Sequence, residues 1–276
     1  MADHPLVESD LNSLLDHTFL ESVRFFSETD STNRQAIRLL SEGGELATPC
    51  LVHTESQTAG KGRGSNRWWS QPGSLTFSVI VDLQQYGLSP AQRIQLPLLT
   101  GLAVLRTGQT FVPYPAGQDF ALKWPNDVYL AGRKLAGILI EIPASRVTAP
   151  DSAAVHAVIG VGLNVNNSWA VAPQDLREKG ISLCDHSSAT FDRVKILKVF
   201  LGHLEQLIRG LSQGRPVLEG WSEHCLLTGK HVVLLVGEEE VSGDCLGLAP
   251  NGSLMMETAD GPRQFMGGIV TSWSSC

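Results

Sequence analysis

The run Ala157-Val-Ile-Gly-Val-Gly-Leu-Asn-Val-Asn166 constrains the fold more than any other stretch of the chain. In an extended backbone successive side chains point to opposite faces. Ile159, Val161, Leu163 and Val165 then share one face, and Gly160, Gly162, Asn164 and Asn166 share the other. The first set demands a core beneath a sheet. The second is not what a strand core needs. It reads either as a surface on which a ligand lies or as the polar outer face of an edge strand.

A second stretch, Phe120 to Ile142, supplies charge for such a surface. Ala121 to Trp124 alternate like a strand, Pro125-Asn126-Asp127 breaks the run, and Val128 to Leu130 resumes it. Ala131-Gly132-Arg133 reads as a hairpin turn that returns Lys134 to Ile142 as an Ile-rich strand. Lys123, flanked by Leu122 and Trp124, cannot sit in a low-dielectric place without a partner. Either Lys123 and Lys134 reach water or pair with Asp127 and Glu141, or the two lysines and Gly137 frame a site for an anion.

Further elements follow in chain order. Residues up to about 20 carry a modest helical pattern through Leu11, Leu14 and Leu15. Val23 to Phe26 is a short strand leading through Ser31-Thr32-Asn33 into a helix that stops at Gly43-Gly44. The triplet suits helix capping, and equally a strand-to-helix junction that aims polar groups at a ligand. Leu51 to Thr54 is a strand, followed by Gln57 and the loop Gly60-Lys-Gly-Arg-Gly-Ser-Asn-Arg-Trp68. Its glycines allow close approach to a ligand and Lys61, Arg63 and Arg67 add positive charge, so it is either a mobile surface loop or an anion clamp. It matches neither a P-loop nor a dinucleotide fingerprint, because the required Lys-Ser/Thr pair and third glycine are missing.

Gly73 to Asp82 is a strand, and Ser89-Pro90 opens an apolar core helix through Leu105 that Pro97 should kink. Asp192 to Leu211 is amphipathic, and Pro216 to Cys225 reads as a second helix. From Gly229 short strands alternate with turns such as Asn251-Gly252 and Asp260-Gly261, which predicts a small antiparallel barrel. The expected organisation is a main domain over residues 1–226 and a small one over 227–276.

Composition narrows the function. A net charge of −7 argues against an extended nucleic-acid surface, which needs clustered Lys and Arg. Five scattered cysteines without a Cys-x-x-Cys pair read as reduced thiols of a cytoplasmic protein, and eight histidines show no zinc spacing, so no protein-built metal site is expected. No run spans a membrane, and the acidic N-terminus has no leader character. No Ser or Cys nucleophile stands out. Cations converging on a glycine-rich pocket suit a reaction in which the substrate brings its own nucleophile, such as activation of a carboxylate by ATP.

Lys123-Trp-Pro-Asn-Asp127, Lys134-Leu-Ala-Gly-Ile-Leu-Ile-Glu141, the Gly60 to Trp68 loop and Gly160-Val-Gly-Leu-Asn-Val-Asn166 together resemble biotin protein ligases. The likeness spans roughly residues 25 to 275 in four ordered motifs. It implies an α+β fold: a mixed β-sheet with helices packed on one face, similar to class II synthetases, plus an SH3-like C-terminal β-barrel. It implies that biotin and ATP, with Mg2+ on the phosphates, give biotinyl-5′-AMP, whose biotin passes to a lysine of the biotin carboxyl carrier domain of acetyl-CoA carboxylase. By the same likeness Ser31, Thr32, Asn33, Gln57, Lys61, Gly62, Arg63, Lys134 and Gly137 contact biotin. Lys123, Lys134 and Arg63 are the catalytic cations, and Trp68, Asn126 and Asn164 face the nucleotide. Lys61 stands where arginine is commoner, keeping the charge and losing the bidentate fork. Too few residues precede the first motif for the DNA-binding domain that some of these ligases carry, and a homodimer stays open. A lipoate or octanoate transferase, and a non-catalytic biotin sensor or DNA-binding repressor, are the rival readings; the Gly60 to Trp69 loop and the Lys123-Trp-Pro-Asn-Asp127 motif do not resemble the lipoyl pattern.

Overall fold

A computed structural model describes residues 4–42, 46–112, 119–144, 154–216 and 218–275. The expected helix stop at Gly43-Gly44 lies outside these. The main sheet has seven strands: β1 (Ser22–Thr29), β2 (Cys50–Gln57), β3 (Leu75–Asp82), β4 (Phe120–Lys123), β5 (Asp127–Leu130), β6 (Arg133–Glu141) and β7 (His156–Leu163). Their order is β1-β2-β3-β7-β6-β5-β4. Only β1 and β2 pair in parallel, and all other neighbours are antiparallel, so the sheet is mixed as expected.

Side-chain alternation sorts the sheet into two faces. Leu75, Phe77, Val79 and Val81 of β3, with Ala157, Ile159, Val161 and Leu163 of β7, lie in the main core. Helix α4 (Leu96–Phe111) and helix α6 (Arg193–Ser212) pack on that face, with Phe200 against Phe77 at 5.2 Å between ring centroids. On the opposite face Cys50, Val52, Ile80 and Val158 meet Ala36 of helix α2 (Thr32–Ser41). Thus α2 covers one half of the second face, and the other half, over β7 and β6, is left for the site.

Three local expectations change. Pro97 does not kink a long helix: α3 (Pro90–Arg93) ends, and α4 starts with this proline in its first turn, where a missing N–H costs no helical bond. The strand expected to reach Asn166 ends at Leu163. The helix expected over Pro216 to Cys225 is only α7 (Leu218–Ser222), after which Cys225 bridges to Leu122. Trp221 closes this corner, fully buried with Nε1 donating to the Leu98 carbonyl at 2.6 Å.

The hairpin between β5 and β6 turns on Ala131 and Gly132, with φ of 48° and 74°. Two successive positive φ values match the twist of a two-residue hairpin, which glycine meets freely and alanine only with strain. The short helices α1 (Glu8–Asn12) and α5 (Leu183–Ser187) line the rim of the core.

The C-terminal strands β8 (Lys230–Val236), β9 (Glu239–Leu248), β10 (Leu254–Thr258), β11 (Gly261–Phe265) and β12 (Ile269–Ser275) form a separate antiparallel sheet in the order β11-β10-β9-β8-β12. Among the described residues no pairing joins β11 to β12, so the expected barrel is an open sheet. Its apolar face merges with the main core through Val232, Leu234, Leu254 and Met256. Trp124 Nε1 donates to the Gly252 carbonyl at 3.1 Å across the junction. Burial against the larger body, rather than closure on itself, covers the inner face.

Candidate functional site

The exposed half of the second sheet face floors a cavity of about 810 Å3. All the sequence-predicted site residues except Asn164 line it. Strand register explains the floor: Lys123, Asp127, Gly137, Gly162 and Thr76 form one row across five strands, and Leu139, Gly160 and Ser78 form the next.

The two glycines of β7 are needed because the protein's own side chains lie on them. A Cβ at Gly160 would stand 2.2 Å from Asn33 Oδ1, and one at Gly162 would stand 2.2 Å from Trp68 Cε2. Asn33 is buried; its Nδ2 donates to the Leu139 carbonyl (3.1 Å) and to Glu141 Oε2 (2.8 Å), and its Oδ1 accepts from Ser78 Oγ (2.6 Å). It braces the wall of the cavity. Ser78, which the sequence reading left unassigned, could have been found: it sits on the parity opposite Phe77 and Val79, facing Gly160.

Helix α2 begins at the cavity edge. Ser31 is its N-cap residue, yet its side chain makes no capping bond. Instead Gln57 Oε1 accepts from Thr32 N–H at 2.9 Å, doing from β2 what a cap side chain does locally. Capping is therefore not the task of the Ser31 hydroxyl, which remains at the cavity.

The Gly60 to Trp68 loop folds as a miniature hairpin. Lys61 bridges to Arg67, Gly62 N–H donates to the Asn66 carbonyl (2.8 Å), and Trp68 N–H donates to that of Gly60 (3.1 Å). Lys61 Nζ lies 3.4 Å from Glu141 Oε1, so the carboxylate that holds Asn33 also holds the loop. The Trp68 indole N–H is buried without a hydrogen-bond partner among the described residues.

The lysines divide the roles foreseen for them. Lys134 pairs with Asp127, Nζ to Oδ1 at 2.6 Å, and Glu141 takes Lys61 rather than a hairpin lysine. Burial pushes the Lys123 ammonium below the usual lysine range; Asp127 opposes this, and Lys134 adds to it. Arg63 reaches the Gly268 carbonyl (3.2 Å) and Asn126 Oδ1 (3.5 Å), and burial lowers its pKa too, with Asp127 opposing. Asn126 is fixed by Nδ2 donating to the Ile138 carbonyl at 2.7 Å. One carboxylate thus faces three cations, leaving net positive charge for an anionic substrate.

Asn164 and Asn166 correct the alternation argument. With the strand over at Leu163, Asn164 is fully buried, its Nδ2 3.5 Å from the Lys134 carbonyl and its Oδ1 accepting from Asn167. Asn166 is bonded to the backbone of Phe191 through both ends of its amide. Asn164 stands behind the lysine strand, outside the cavity lining. Sequence reasoning also missed Lys179, whose carbonyl accepts from Lys134 N–H at 2.9 Å, and the C-terminal sheet, from which Gly268, just before β12, and Val270 and Trp273 on it reach the cavity.

Comparison with known proteins places this geometry. Residues 25–164 match the family described as the biotin/lipoate A/B protein ligase family. The sequence is 32% identical over 262 residues to the bifunctional ligase/repressor BirA of Escherichia coli, covering 91% of this chain and 74% of that protein. It is 31% identical over 233 residues to the biotin--[acetyl-CoA-carboxylase] ligase of Mycobacterium tuberculosis, covering 84% and 81%. The structure of the biotin protein ligase from Aquifex aeolicus in complex with biotin and ATP superposes with a TM-score of 0.75 at 25% identity, covering 93% of this chain and all of that one.

Proposed function

Because the chain belongs to the biotin/lipoate A/B protein ligase family, and within it to the biotin protein ligases, we propose that its cavity joins biotin to ATP as biotinyl-5′-AMP and passes the biotin to a carrier-domain lysine. The observation that carries this reading is the meeting of Lys123, Lys134 and Arg63 around Asp127, beside the Gly137 and Gly162 floor.

In the first step a biotin carboxylate oxygen attacks the α-phosphorus of ATP, and the bond to the departing pyrophosphate breaks. Negative charge builds on the phosphoryl oxygens, where a fixed cation acts without reorganising. Lys123 and Arg63 are assigned there, with Lys134 held in place by Asp127. Ser31, Thr32, Gln57, Lys61, Gly62 and Gly137 line the biotin end. Trp68 and Asn126 face the nucleotide, and Asn164 supports that end by holding the Lys134 strand. In the second step the neutral amine of the carrier lysine attacks the anhydride carbonyl, AMP leaves, and the amine gives up a proton. The carrier is assigned as the biotin domain of acetyl-CoA carboxylase, the enzyme that the name of the mycobacterial relative gives as its substrate.

Among the described residues no three His, Cys, Asp or Glu side chains cluster to hold a metal. Magnesium is assigned, on the family likeness, to the phosphates of incoming ATP and to water, with Asp127 as the carboxylate that could join them. We also assign residues 1–226 to a catalytic domain and 227–276 to a second domain docked on it.

Biotin-dependent exchange of labelled pyrophosphate into ATP tests the reading. Exchange with biotin, and none with lipoate or octanoate, is expected. Exchange with lipoate instead would move the protein to the other branch of its family, and biotin binding without exchange would make the site a sensor.

A further inference from the structure

Lys123 is held from outside its own sheet. Its Nζ lies 4.5 Å from the ring centroid of Trp273 and 3.4 Å from the Val270 carbonyl, both on β12. Trp273 is itself propped by Tyr129 of β5, with ring centroids 6.1 Å apart and planes at 86°. A β-bulge makes the arrangement. Val270 pairs with Leu234 and Trp273 with Val232, with the register shifting between Val270 and Ser272. Leu234 and Val232 are two apart and share a face, whereas Val270 and Trp273 are three apart and would face opposite ways in a regular strand. The extra residue turns Trp273 onto the face that meets the catalytic sheet.

We propose that Trp273 is a positioning residue for Lys123: its ring face holds the ammonium over the cavity, making the C-terminal sheet part of the machinery for adenylation. The inference rests on the catalytic role assigned to Lys123 above. A cation over an indole face is attracted by the ring quadrupole, most strongly where water is excluded. The groups around Lys123 make that attraction useful. Asp127 of β5 lies across from it in the register, Lys134 of β6 repels it, Arg63 competes for Asp127, and the Tyr129 phenol is pushed up by burial and by Asp127. From the C-terminal sheet the partners are uncharged, a ring face and a carbonyl. They favour the ammonium without drawing it out of the cavity as a second carboxylate would.

The test compares Trp273→Leu, which keeps an apolar side chain and removes the quadrupole, with Trp273→Phe, which keeps a ring face. Both are made in the full chain and read in two ways. In biotin-dependent pyrophosphate exchange, Trp273→Leu is expected to lose about tenfold in kcat with the KM for biotin little changed, and Trp273→Phe to recover most of it. The second readout needs no activity: competitive labelling of Lys123 with acetic anhydride across pH, read by peptide mass spectrometry. There the midpoint of Lys123 reactivity is expected to fall by about one pH unit in Trp273→Leu and by less in Trp273→Phe.

Full exchange activity in Trp273→Leu, equal loss in both variants, or an unmoved labelling midpoint would each overturn the proposal. If the unaltered protein shows no biotin-dependent exchange, the ligase reading fails, and the labelling still decides whether Trp273 acts on Lys123.

Discussion

The indole of Trp68 packs on Gly162 so closely that a methyl group there would stand 2.6 Å from its Nε1 and 2.6 Å from its Cζ2. Gly162 is hydrogen-bonded into β3 on one side and β6 on the other, so the backbone cannot yield and the loop must. The relationship ties the packing of the Gly60 to Trp68 loop to a single missing side chain.

Gly162→Ala is therefore expected to lift Trp68 and the loop off the sheet, at about 1–3 kcal/mol for a small-to-large change in a packed place. Trypsin, which cuts at lysine and arginine, should then cleave at Lys61, Arg63 or Arg67 faster than in the parent protein. Equal resistance in both would show that the loop is held by something other than this contact.

Glu141 joins the loop to the wall, through Lys61 on one oxygen and Asn33 on the other. The ion pair is partly exposed, so Glu141→Gln should cost stability only about 0–1 kcal/mol. Its effect belongs on the substrate: the KM for biotin should rise, and more so at low salt, where the pair is least screened. Lys61→Arg should lower that KM, because a guanidinium keeps Glu141 and adds a planar fork. A KM unchanged in both variants would remove Lys61 from the biotin end.

Lys123→Gln and Lys134→Gln should each lower the rate of biotin-dependent exchange by about 10²–10³, the usual size for losing one fixed donor at developing charge. Since both lysines face Asp127, the double variant should lose less than the product of the single losses. Multiplicative losses in the measured kcat would mean that the two act independently.

His53 makes stability depend on pH. It is fully buried, stacks on Phe25 at 6.1 Å, and has no hydrogen-bond partner on either ring nitrogen among the described residues. Burial first, and then the Arg193 charge, hold its pKa down at about 3 from an ordinary 6.5. Glu55 lies 3.9 Å away, but it is paired with Arg193. The unfolded chain then takes up this proton before the folded one does. The stabilising contribution is complete above about pH 6.5 and is lost as pH falls towards 3. His53→Phe should flatten this part of the curve. Urea unfolding at pH 8 and pH 5 measures it, and an unchanged difference between the two pH values would reject the assignment.

Where the argument was local, the residues alone carried it. Period-two alternation placed β3, β7 and the lysine hairpin, Ala131-Gly132 marked the turn, and the apolar stripe from Val194 to Ile208 marked α6, because each depends only on neighbours along the chain. The cationic loop and the Gly-Val-Gly strand each read locally as a surface for a ligand, and it was their likeness to biotin protein ligases that joined them, with Gln57, into one site. What rests on the glycine floor was not: Asn33 and Trp68 reach it from elements more than ninety residues away in the chain, and a glycine reports a close approach without naming the visitor. Nor could the sequence say that β7 ends at Leu163, that the C-terminal strands stay open, or that Trp273 meets Lys123. Those outcomes depend on which surfaces dock, and docking is decided by the combined shape and burial of whole layers rather than by any one segment's pattern.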